Sequence, residues 1–503
     1  MYLKELSINN FRSFKAAKIC LQKDLTILVG ENNSGKSNAI DAMRLLTPPL
    51  SGRREIYCQQ TDIRIGSGTS FHLKAEYDEL NDAQQALLLK ASKDKSMKGA
   101  VFGLDYDETK GGFPPRPNIW AGNAGTAPEK GSHDLIRHVY LPALRDAKYS
   151  LASGNPTRVL ALLRQFLTDD DRDLLVKEAA RGASHKTLQG INTSVDAGLD
   201  ELTGGVRQQT AALGFSRNET LIDIARDLRF SLADKGIRPE DLSLSGHGYA
   251  NFLYMATIAV ELEKVSSADL TLFLVEEPEA HLHPQLQSAV LAFLKERARK
   301  SREASKSEGS HAGELQVIVA THSPNLTASV PSRNIVFLRA IIPQETVEPQ
   351  PIVAVLPAEP GAAVPAPAPA VPKAAPKAAY ATARPSVETE EVPDAATAAP
   401  DARRESRTLS LSDLLLKTDG SPDVMARRKI DRYIDVTKAA FLFGGRVFLV
   451  EGIAEALLIP ILTEKFILND DKQALRRFRS TTFVPIEGVD FKPYVRLLTT
   501  HKN

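Results

Sequence analysis

The stretch Gly30-Glu31-Asn32-Asn33-Ser34-Gly35-Lys36-Ser37 decides the fold of this chain. It follows the apolar run 25–29 (Leu-Thr-Ile-Leu-Val) and leads into a helix-like segment that begins at Asn38. A glycine loop between a strand and a helix lets backbone N–H groups face one anion. We therefore expect residues 30–38 to surround phosphate, with Lys36 on the outer phosphates and Ser37 on Mg²⁺. A plain glycine turn is the alternative, and the Lys-Ser pair with both flanks in place disfavours it.

Length and composition limit the classes of protein that fit this chain. With 503 residues it has room for roughly two to four domains. The formal net charge of +1 is not that of a small basic DNA-binding domain, so any contact with nucleic acid must be local. Cys20 and Cys58 are too few for a disulfide framework, and no stretch approaches the ~18 apolar residues of a membrane span. We expect a soluble cytoplasmic protein without a signal peptide.

A change of composition near residue 342 divides the chain. Residues 342–405 are rich in Pro, Ala, Val and Glu, which predicts an extended, semi-rigid linker. A proline-rich ligand for a signalling module is the alternative, and no flanking pattern supports it. We expect five regions: the phosphate-loop region of the nucleotide domain (1–80), a mostly helical insertion and dimerisation region (81–230), the second region of the nucleotide domain (231–341), the linker (342–405) and a C-terminal α/β region (406–503).

A second chemical motif lies where another buried strand is expected to end. Residues 272–275 (Leu-Phe-Leu-Val) form an apolar run typical of a central parallel strand, and Glu276 and Glu277 follow it. Ligands of open α/β sheets bind at this end of the strands. We expect Glu276 to support Mg²⁺ and Glu277 to orient or deprotonate an attacking water. A solvated turn is the alternative, and the phosphate loop elsewhere in the chain argues against it.

A histidine follows a third apolar run. Residues 317–320 (Val-Ile-Val-Ala) precede Thr321 and His322, one strand–helix unit beyond the acidic pair. This position favours a hydrogen bond from His322 to the γ-phosphate, and a structural histidine is the alternative.

A fourth element opens an apolar helix with the residues Ser245-Gly246-His247-Gly248. Small residues at a helix start leave backbone N–H groups and the Ser245 hydroxyl open to an anion. Because the chain already has a phosphate loop, we expect Ser245, Gly246 and Gly248 to contact the nucleotide of a partner chain in a head-to-tail dimer. A simple glycine turn is the alternative.

These elements, in this order, resemble the ABC-type nucleotide-binding heads of SMC and RecF-like ATPases, and most closely the OLD family of ATP-dependent nucleases. The matching stretches are NFRSF (10–14), GENNSGKS (30–37), LPALRD (141–146), GHGY (246–249), EEPEAHLHP (276–284) and THSP (321–324). The resemblance implies an α/β fold, an ABC-type P-loop ATPase head with a helical insertion. It implies ATP and Mg²⁺ as cofactors, Lys36, Glu277 and His322 as catalytic residues, and dimerisation through the heads. Glu276 replaces the usual Walker B aspartate, and Gln59 or Gln60 is the candidate Q-loop glutamine.

The region after the linker carries a second acidic pair. Residues 447–450 (Val-Phe-Leu-Val) are expected to form a buried strand that ends in Glu451, and Glu455 follows one helical turn later. This segment resembles the opening of a TOPRIM domain, which implies that Glu451 and Glu455 hold Mg²⁺ or Mn²⁺ for phosphodiester chemistry. An ordinary strand–helix unit is the alternative.

The acids that a complete TOPRIM domain offers on a later strand are absent from this sequence. After Glu455 the chain carries Glu487 and Asp490 but no D-x-D pair, and a two-metal nuclease needs several carboxylates. We interpret the chain either as a fragment of a longer nuclease or as a truncated protein that keeps only nucleotide hydrolysis. Basic clusters at 403–404, 427–429 and 476–479 offer contacts for DNA phosphates, although a solvated charged face is the simpler interpretation of each.

The combined expectation is an ATP-hydrolysing head that couples ATP to DNA binding or processing in phage defence or DNA repair, with an accessory protein as a further partner. The first alternative is an ATP-gated DNA clamp without nuclease activity. The second is the ATPase subunit of a membrane transporter, which the NFRSF, EEPEAHLHP and TOPRIM-like segments disfavour.

Overall fold

The computed structural model describes most of the chain outside residues 342–403. The described ranges are 1–52, 54–110, 115–143, 151, 156–168, 170–171, 174–175, 186–203, 209–214, 225, 228–234, 240–242, 245–263, 268–280, 282–305, 313–341, 404–411, 423–433, 436–439, 442–443, 446–468, 471–486, 491 and 494–495. Of the predicted linker, only Arg404 and Glu405 fall within them. None of the helices in these ranges combines the length and the apolar character that crossing a bilayer demands.

Strands and helices alternate along the chain. The strands are β1 Tyr2–Phe11, β2 Phe14–Cys20, β3 Leu25–Gly30, β4 Ser70–Asp78, β5 Ala100–Asp107, β6 Asn118–Ala121, β7 Ile136–Leu141, β8 Gln209–Gly214, β9 Arg229–Asp234, β10 Glu240–Asp241, β11 Leu270–Glu276, β12 Glu314–Thr321, β13 Ile335–Ile341, β14 Glu405–Ser410, β15 Arg446–Val450 and β16 Thr481–Pro485. The α-helices are α1 Lys36–Leu46, α2 Asp82–Leu87, α3 Pro156–Phe166, α4 Lys186–Thr203, α5 His247–Glu263, α6 Pro284–Ser305, α7 Pro324–Ala328, α8 Val424–Tyr433, α9 Val436–Ala439, α10 Ile453–Leu462 and α11 Lys472–Arg479.

The main sheet has the phosphate-loop strand near its centre. Its described strands run in the order β14-β13-β3-β12-β11-β7, and every neighbouring pair is parallel except β13 with β14. Both faces are buried, because Leu272 and Leu274 of β11 pack in one apolar cluster while Phe273 and Val275 pack in another. A strand buried on both faces needs a nearly continuous apolar run, which is what β3 and β11 carry.

An antiparallel sheet covers one face of the main sheet. Its described strands run in the order β2-β1-β4-β5-β6, and their buried side chains join α1 and alternate residues of β11 in one cluster. Along β4 the buried residues are Phe71, Leu73, Ala75 and Tyr77, the alternation of a strand with one face in the core. The opposite face of the main sheet carries helices, with α4 packed against α5 and α6, and α3 against α5.

The segment 81–230 contains several β-strands, whereas the sequence predicted a mostly helical insertion. It supplies β5 and β6 to the antiparallel sheet, β7 to the edge of the main sheet, and β8 and β9 to a small sheet with β10. The sequence interpretation missed β7 because Arg137 and His138 interrupt its apolar pattern, yet His138 is buried in the folded chain. The helical portion of this segment lies mainly in α3 and α4.

The first strand after the linker belongs to the main sheet. Strand β14 pairs with β13 in antiparallel register, from Glu405 opposite Ile341 to Ser410 opposite Val336. Helix α9 then packs against α7, and β15 and β16 form a separate parallel pair. Helix α10 follows β15 with none of its residues buried. The predicted C-terminal region 406–503 therefore starts within a strand of the main sheet, and this strand begins at Glu405, the last residue of the predicted linker.

Candidate functional site

The phosphate loop adopts a backbone path that requires glycine at its two ends. Gly30 has a φ angle of +152°, and a Cβ atom there would lie 2.0 Å from the carbonyl oxygen of Leu338. Gly35 has a φ angle of +102°, and its Cβ atom would lie 2.6 Å from the hydroxyl oxygen of Ser406. Any side chain at either position would therefore collide with the strands that flank the loop. The loop keeps the open, glycine-lined path that a bound phosphate group requires.

Lys36 points back into the loop that precedes it. Its Nζ donates hydrogen bonds to the carbonyl oxygens of Gly30 (2.9 Å) and Glu31 (2.8 Å) and to the hydroxyl of Ser34 (3.4 Å). Burial lowers the pKa of Lys36 from 10.5 to about 8, and the nearby carboxylates of Glu277 and Glu279 oppose this shift. The ammonium group is thus held at the centre of the loop by acceptors that a phosphate oxygen can replace.

Parallel register brings the predicted acids and histidine to the same edge of the sheet as this loop. Val29 of β3 lies opposite Thr321 of β12, and Glu276 of β11 lies opposite Ala320. The carboxyl ends of β3, β11 and β12 therefore meet at one place, where ligands of open α/β sheets bind. Lys36 lies near enough to Glu276, Glu277 and His322 to interact with them electrostatically, which indicates that the three motifs converge there.

Glu276 faces the start of α1. Its carboxylate accepts a hydrogen bond from the hydroxyl of Ser37 and another, at 3.2 Å, from the hydroxyl of Tyr140. Burial raises the pKa of Glu276, and these two hydrogen bonds oppose the increase. Ser37 and Glu276 together present a hydroxyl and a carboxylate oxygen, the ligand types that Mg²⁺ prefers.

Glu277 and His322 face each other beside the loop. The Nε2 atom of His322 lies 3.7 Å from Oε1 of Glu277, and both side chains are partly exposed. Glu277 has a φ angle of +42°, a left-handed conformation that is uncommon for a non-glycine residue, and its N–H donates to the carbonyl of Ala320 at 2.8 Å. Burial and the charge of Lys36 lower the pKa of His322, while Glu277 and a hydrogen bond with the Gly30 backbone oppose this.

Glu279 joins the two loops and was not singled out by the sequence interpretation. Its Oε1 atom accepts hydrogen bonds from the Thr321 hydroxyl (2.6 Å) and from the backbone N–H of His322 (2.9 Å). Its buried Oε2 atom has no hydrogen-bond partner among the residues that the structure describes, and burial raises the pKa of this carboxyl. Glu279 therefore fixes the backbone of the loop that carries His322.

A charged network links the NFRSF segment to helix α1 and was also missed. Arg12 donates from Nε to Asp62 (2.8 Å) and from Nη1 to Asp41 (2.6 Å). The second oxygen of Asp41 accepts from Arg44 at 2.9 Å, and the Arg44 guanidinium carbon lies 3.7 Å from the centre of the Tyr140 ring. The only sequence signal for this network was the position of Arg12 in the turn between β1 and β2.

The residues Ser245, Gly246 and Gly248 have their described hydrogen bonds outside the phosphate loop. The Ser245 hydroxyl donates to the Leu242 carbonyl (2.8 Å), and within the described ranges none of the three bonds to residues 30–37. Asn251, one turn into α5, donates from Nδ2 to the carbonyl of Ala280 at 3.1 Å. The start of α5 is thus tied to the loop after Glu277. It is not part of the group of residues that meets at the ends of β3, β11 and β12. We call this group the cradle; it consists of the phosphate loop with Ser37, Glu276, Glu277 and His322.

The remaining predicted residues occupy positions outside this cradle. Gln59 precedes the short helical turn Gln60–Asp62, where its N–H donates to Asp62 at 2.9 Å, and the Q-loop assignment stays a prediction. Glu455 accepts a hydrogen bond from the N–H of Gly452 at 3.0 Å and so caps its own helix, while Glu451 is exposed. No cluster of three acids, histidines or cysteines suited to a metal occurs among the described residues. Residues 144–146, His281, Arg403, Glu487 and Asp490 lie outside them.

Known proteins share segments of this sequence. The Old nuclease of Escherichia phage P2 is 23% identical over 364 residues, which are 66% of this chain and 58% of the nuclease. The DNA replication and repair protein RecF of Rhizobium etli is 26% identical over 255 residues, which are 48% of this chain and 60% of RecF. The chain therefore spans less than two thirds of the length of these relatives. The crystal structure of an SMC head bound to the C-winged helix domain of ScpA has a TM-score of 0.46 at 18% identity, covering 66% of this chain and 92% of that one.

The chain matches a protein family over a region that includes the cradle. The match to the AAA ATPase domain family includes the phosphate loop, the acidic pair and His322. These are the residues that the structure brings together. It matches residues 1–110 and 157–327, more than half of the chain, and the chain therefore belongs to the AAA ATPase domain family.

Proposed function

We propose that the chain binds ATP with Mg²⁺ at the cradle and hydrolyses it. The observation that carries the proposal is the meeting of Lys36, the Ser37–Glu276 hydrogen bond and the Glu277–His322 pair at one edge of the main sheet. Membership of the AAA ATPase domain family supports the same conclusion.

Each residue of the cradle has one task in this proposal. Residues 30–38 surround the phosphates with N–H groups, and Lys36 exchanges the carbonyls of Gly30 and Glu31 for phosphate oxygens. Ser37 and Glu276 would hold Mg²⁺, which when bound neutralises charge on the phosphates. Glu277 accepts a proton from the attacking water, and His322 donates a hydrogen bond to the γ-phosphate.

A second chain would complete the site. Ser245, Gly246 and Gly248 stand at the start of α5, where N–H groups can face an anion, and among the described residues they make no hydrogen bond to the phosphate loop of their own chain. A head-to-tail homodimer would bring them to the nucleotide of the partner. The hydrogen bond from Asn251 to Ala280 would then connect that contact to the acidic loop.

DNA is the proposed partner of the ATPase cycle. The relatives are a nuclease and a DNA replication and repair protein by name, which supports a role in DNA processing or repair, while a role in phage defence stays a prediction. Helix α11 carries Arg476, Arg477 and Arg479 on an exposed part of the chain, although Arg479 is paired with Glu464 at 3.0 Å. Contacts with DNA phosphates would weaken steeply as salt increases.

The proposal further assigns a role in DNA cleavage to Glu451 and Glu455. The capping bond of Glu455 instead favours the second candidate, an ATP-gated DNA clamp that does not cut. Nicking of supercoiled plasmid with Mn²⁺ separates the two. Nicking that Glu451→Gln abolishes supports the nuclease, whereas binding without nicking supports the clamp.

The ATP site itself is tested by removing the charge at its centre. ATP binding by wild-type protein, Lys36→Ala and the surface control Lys110→Ala is measured with a fluorescent nucleotide. Lys110 is exposed and pairs only with Asp107 three residues away in the described region. We expect Lys36→Ala alone to lose binding, and equal binding by all three proteins would contradict the proposal.

A further inference from the structure

Tyr140 touches the carboxylate that is proposed to support Mg²⁺, although it belongs to no nucleotide-binding motif. It lies on β7, the edge strand beside β11, and its residue pairs in parallel register with Leu274. From there its hydroxyl donates to Oε2 of Glu276 at 3.2 Å. The ring is partly buried, and a tyrosine hydroxyl, with an ordinary pKa of about 10, is a hydrogen-bond donor at neutral pH.

The ring of Tyr140 is itself held by helix α1. The guanidinium of Arg44 stacks over the ring at 3.7 Å from its centre. Arg44 is buried and anchored by two carboxylates, Asp41 at 2.9 Å and Glu55 at 3.0 Å. Because Arg44 and Ser37 lie on the same helix, the stack ties the orientation of Tyr140 to the element that carries the other proposed cation ligand.

A glutamate at this position needs such support. Its side chain has one more rotatable bond than aspartate, so fixing the carboxylate costs more conformational entropy. Two hydroxyl groups, from Ser37 and Tyr140, supply hydrogen bonds that offset this cost. Of these two, the Tyr140 hydroxyl is the one that comes from outside the phosphate loop and its helix.

We propose that Tyr140 is a positioning residue that holds the carboxylate of Glu276 in the direction of the Mg²⁺ site. This inference rests on the proposed function and deepens it, because it assigns to β7 a role in metal affinity. Tyr140 does not touch nucleotide or metal in this assignment and acts only through Glu276.

The test compares Tyr140→Phe with wild-type protein by Mn²⁺ binding in the presence of a non-hydrolysable ATP analogue, followed by electron paramagnetic resonance. Phenylalanine keeps the ring under Arg44 and removes only the hydroxyl. We expect the half-saturating Mn²⁺ concentration to rise about 3- to 10-fold, which corresponds to the usual net contribution of one hydrogen bond. Analogue binding in EDTA is expected to stay at the wild-type value, because no metal is then held.

Tyr106→Phe is the matched control. Tyr106 is a buried tyrosine whose ring centre lies 5.3 Å from that of Phe71, and it lies on β5 in the antiparallel sheet. It is expected to leave the Mn²⁺ titration unchanged. Thermal melting of each variant without ligand reports any loss of folding separately.

A second comparison distinguishes positioning from a general structural effect. In a Glu276→Gln background, Tyr140→Phe is expected to change Mn²⁺ affinity less than it does in the wild type, because the two side chains act together. Equal losses in both backgrounds, or a Tyr140→Phe titration that matches wild type, would overturn the inference. Failure of the wild-type protein itself to bind Mn²⁺ with the analogue would instead overturn the proposed function, and the inference with it.

Discussion

His138 shows how one side chain in the core links stability to pH. It lies buried on β7, and its Nδ1 atom is 2.9 Å from the hydroxyl of Thr47. Burial, followed by the charges of Arg44 and Arg54, lowers the pKa of His138 from 6.5 to about 3. The folded protein therefore keeps this imidazole neutral at pH values where the unfolded chain binds a proton.

The prediction is a loss of stability as pH falls from 6.5 towards 3. Because the unfolded state binds more protons in this window, the free energy of unfolding falls by about 1.4 kcal/mol per pH unit from this residue, or about 2 kcal/mol between pH 6.5 and 5. Urea unfolding of wild type and His138→Gln at pH 7.5 and 5 measures it. A wild-type loss no larger than that of His138→Gln would contradict the assignment.

At this scale the sequence predicted residues within contiguous motifs and missed those that depend on packing. Lys36, Glu276 and His322 follow apolar runs whose ends mark the ligand-binding edge, so the chain order alone pointed to them. Tyr140 reaches Glu276 across 136 positions of sequence, and only the pairing of β7 with β11 makes that contact. The roles of the motif residues and of Ser245 to Gly248 stay predictions.

Among the elements, β14 has the most unexpected position. It comes at the end of the predicted linker, and yet its residue Ser406 lies beside the phosphate loop. The N–H of Ser406 donates to the carbonyl of Ser13 at 2.9 Å, and its hydroxyl donates to the Ser13 hydroxyl at 2.7 Å. Asn38, the second residue after Lys36, donates to the same hydroxyl at 2.8 Å. A strand from the far side of the linker thus supports the start of α1.

We expect Ser406→Val to destabilise the chain by about 1–3 kcal/mol and to weaken ATP binding, because it removes a buried hydrogen bond and adds bulk beside Gly35. Thr408→Val is the control, since its hydroxyl bonds to the Lys18 carbonyl on the exposed part of the same strand. Chemical unfolding and nucleotide titration of both variants provide the measurement. Equal effects of the two changes would argue against a special role for Ser406.

The elements that the sequence predicted best are those buried on both faces. Strands β3, β11 and β12 consist of nearly continuous apolar runs, and they form strands as predicted. The predicted α/β nucleotide-binding fold is confirmed. Strands β7 and β14 carry several polar residues, because edge positions leave part of the strand less buried. Local pattern therefore gave no reason to place them in the main sheet.

For the whole molecule, the proposal that Ser245 contacts the nucleotide of a partner chain leads to a prediction about assembly. We expect ATP to bring two chains together and Ser245→Arg to block this step without removing ATP from the single chain, since arginine adds bulk and charge at the start of α5. Light scattering with a non-hydrolysable analogue measures the mass, with Ser96→Arg on an exposed loop as control. A Ser245→Arg protein that still dimerises would contradict the head-to-tail arrangement.

Glu277 lies where β3, β11 and β12 end, and we propose that it accepts the proton of the water that attacks ATP. ATP turnover by Glu277→Gln, determined alongside its ATP affinity, probes this role without removing the phosphate loop. We expect wild-type affinity with turnover reduced by about 10²- to 10⁴-fold, the usual contribution of a general base. Turnover at the wild-type rate with ATP bound would show that Glu277 is not the base.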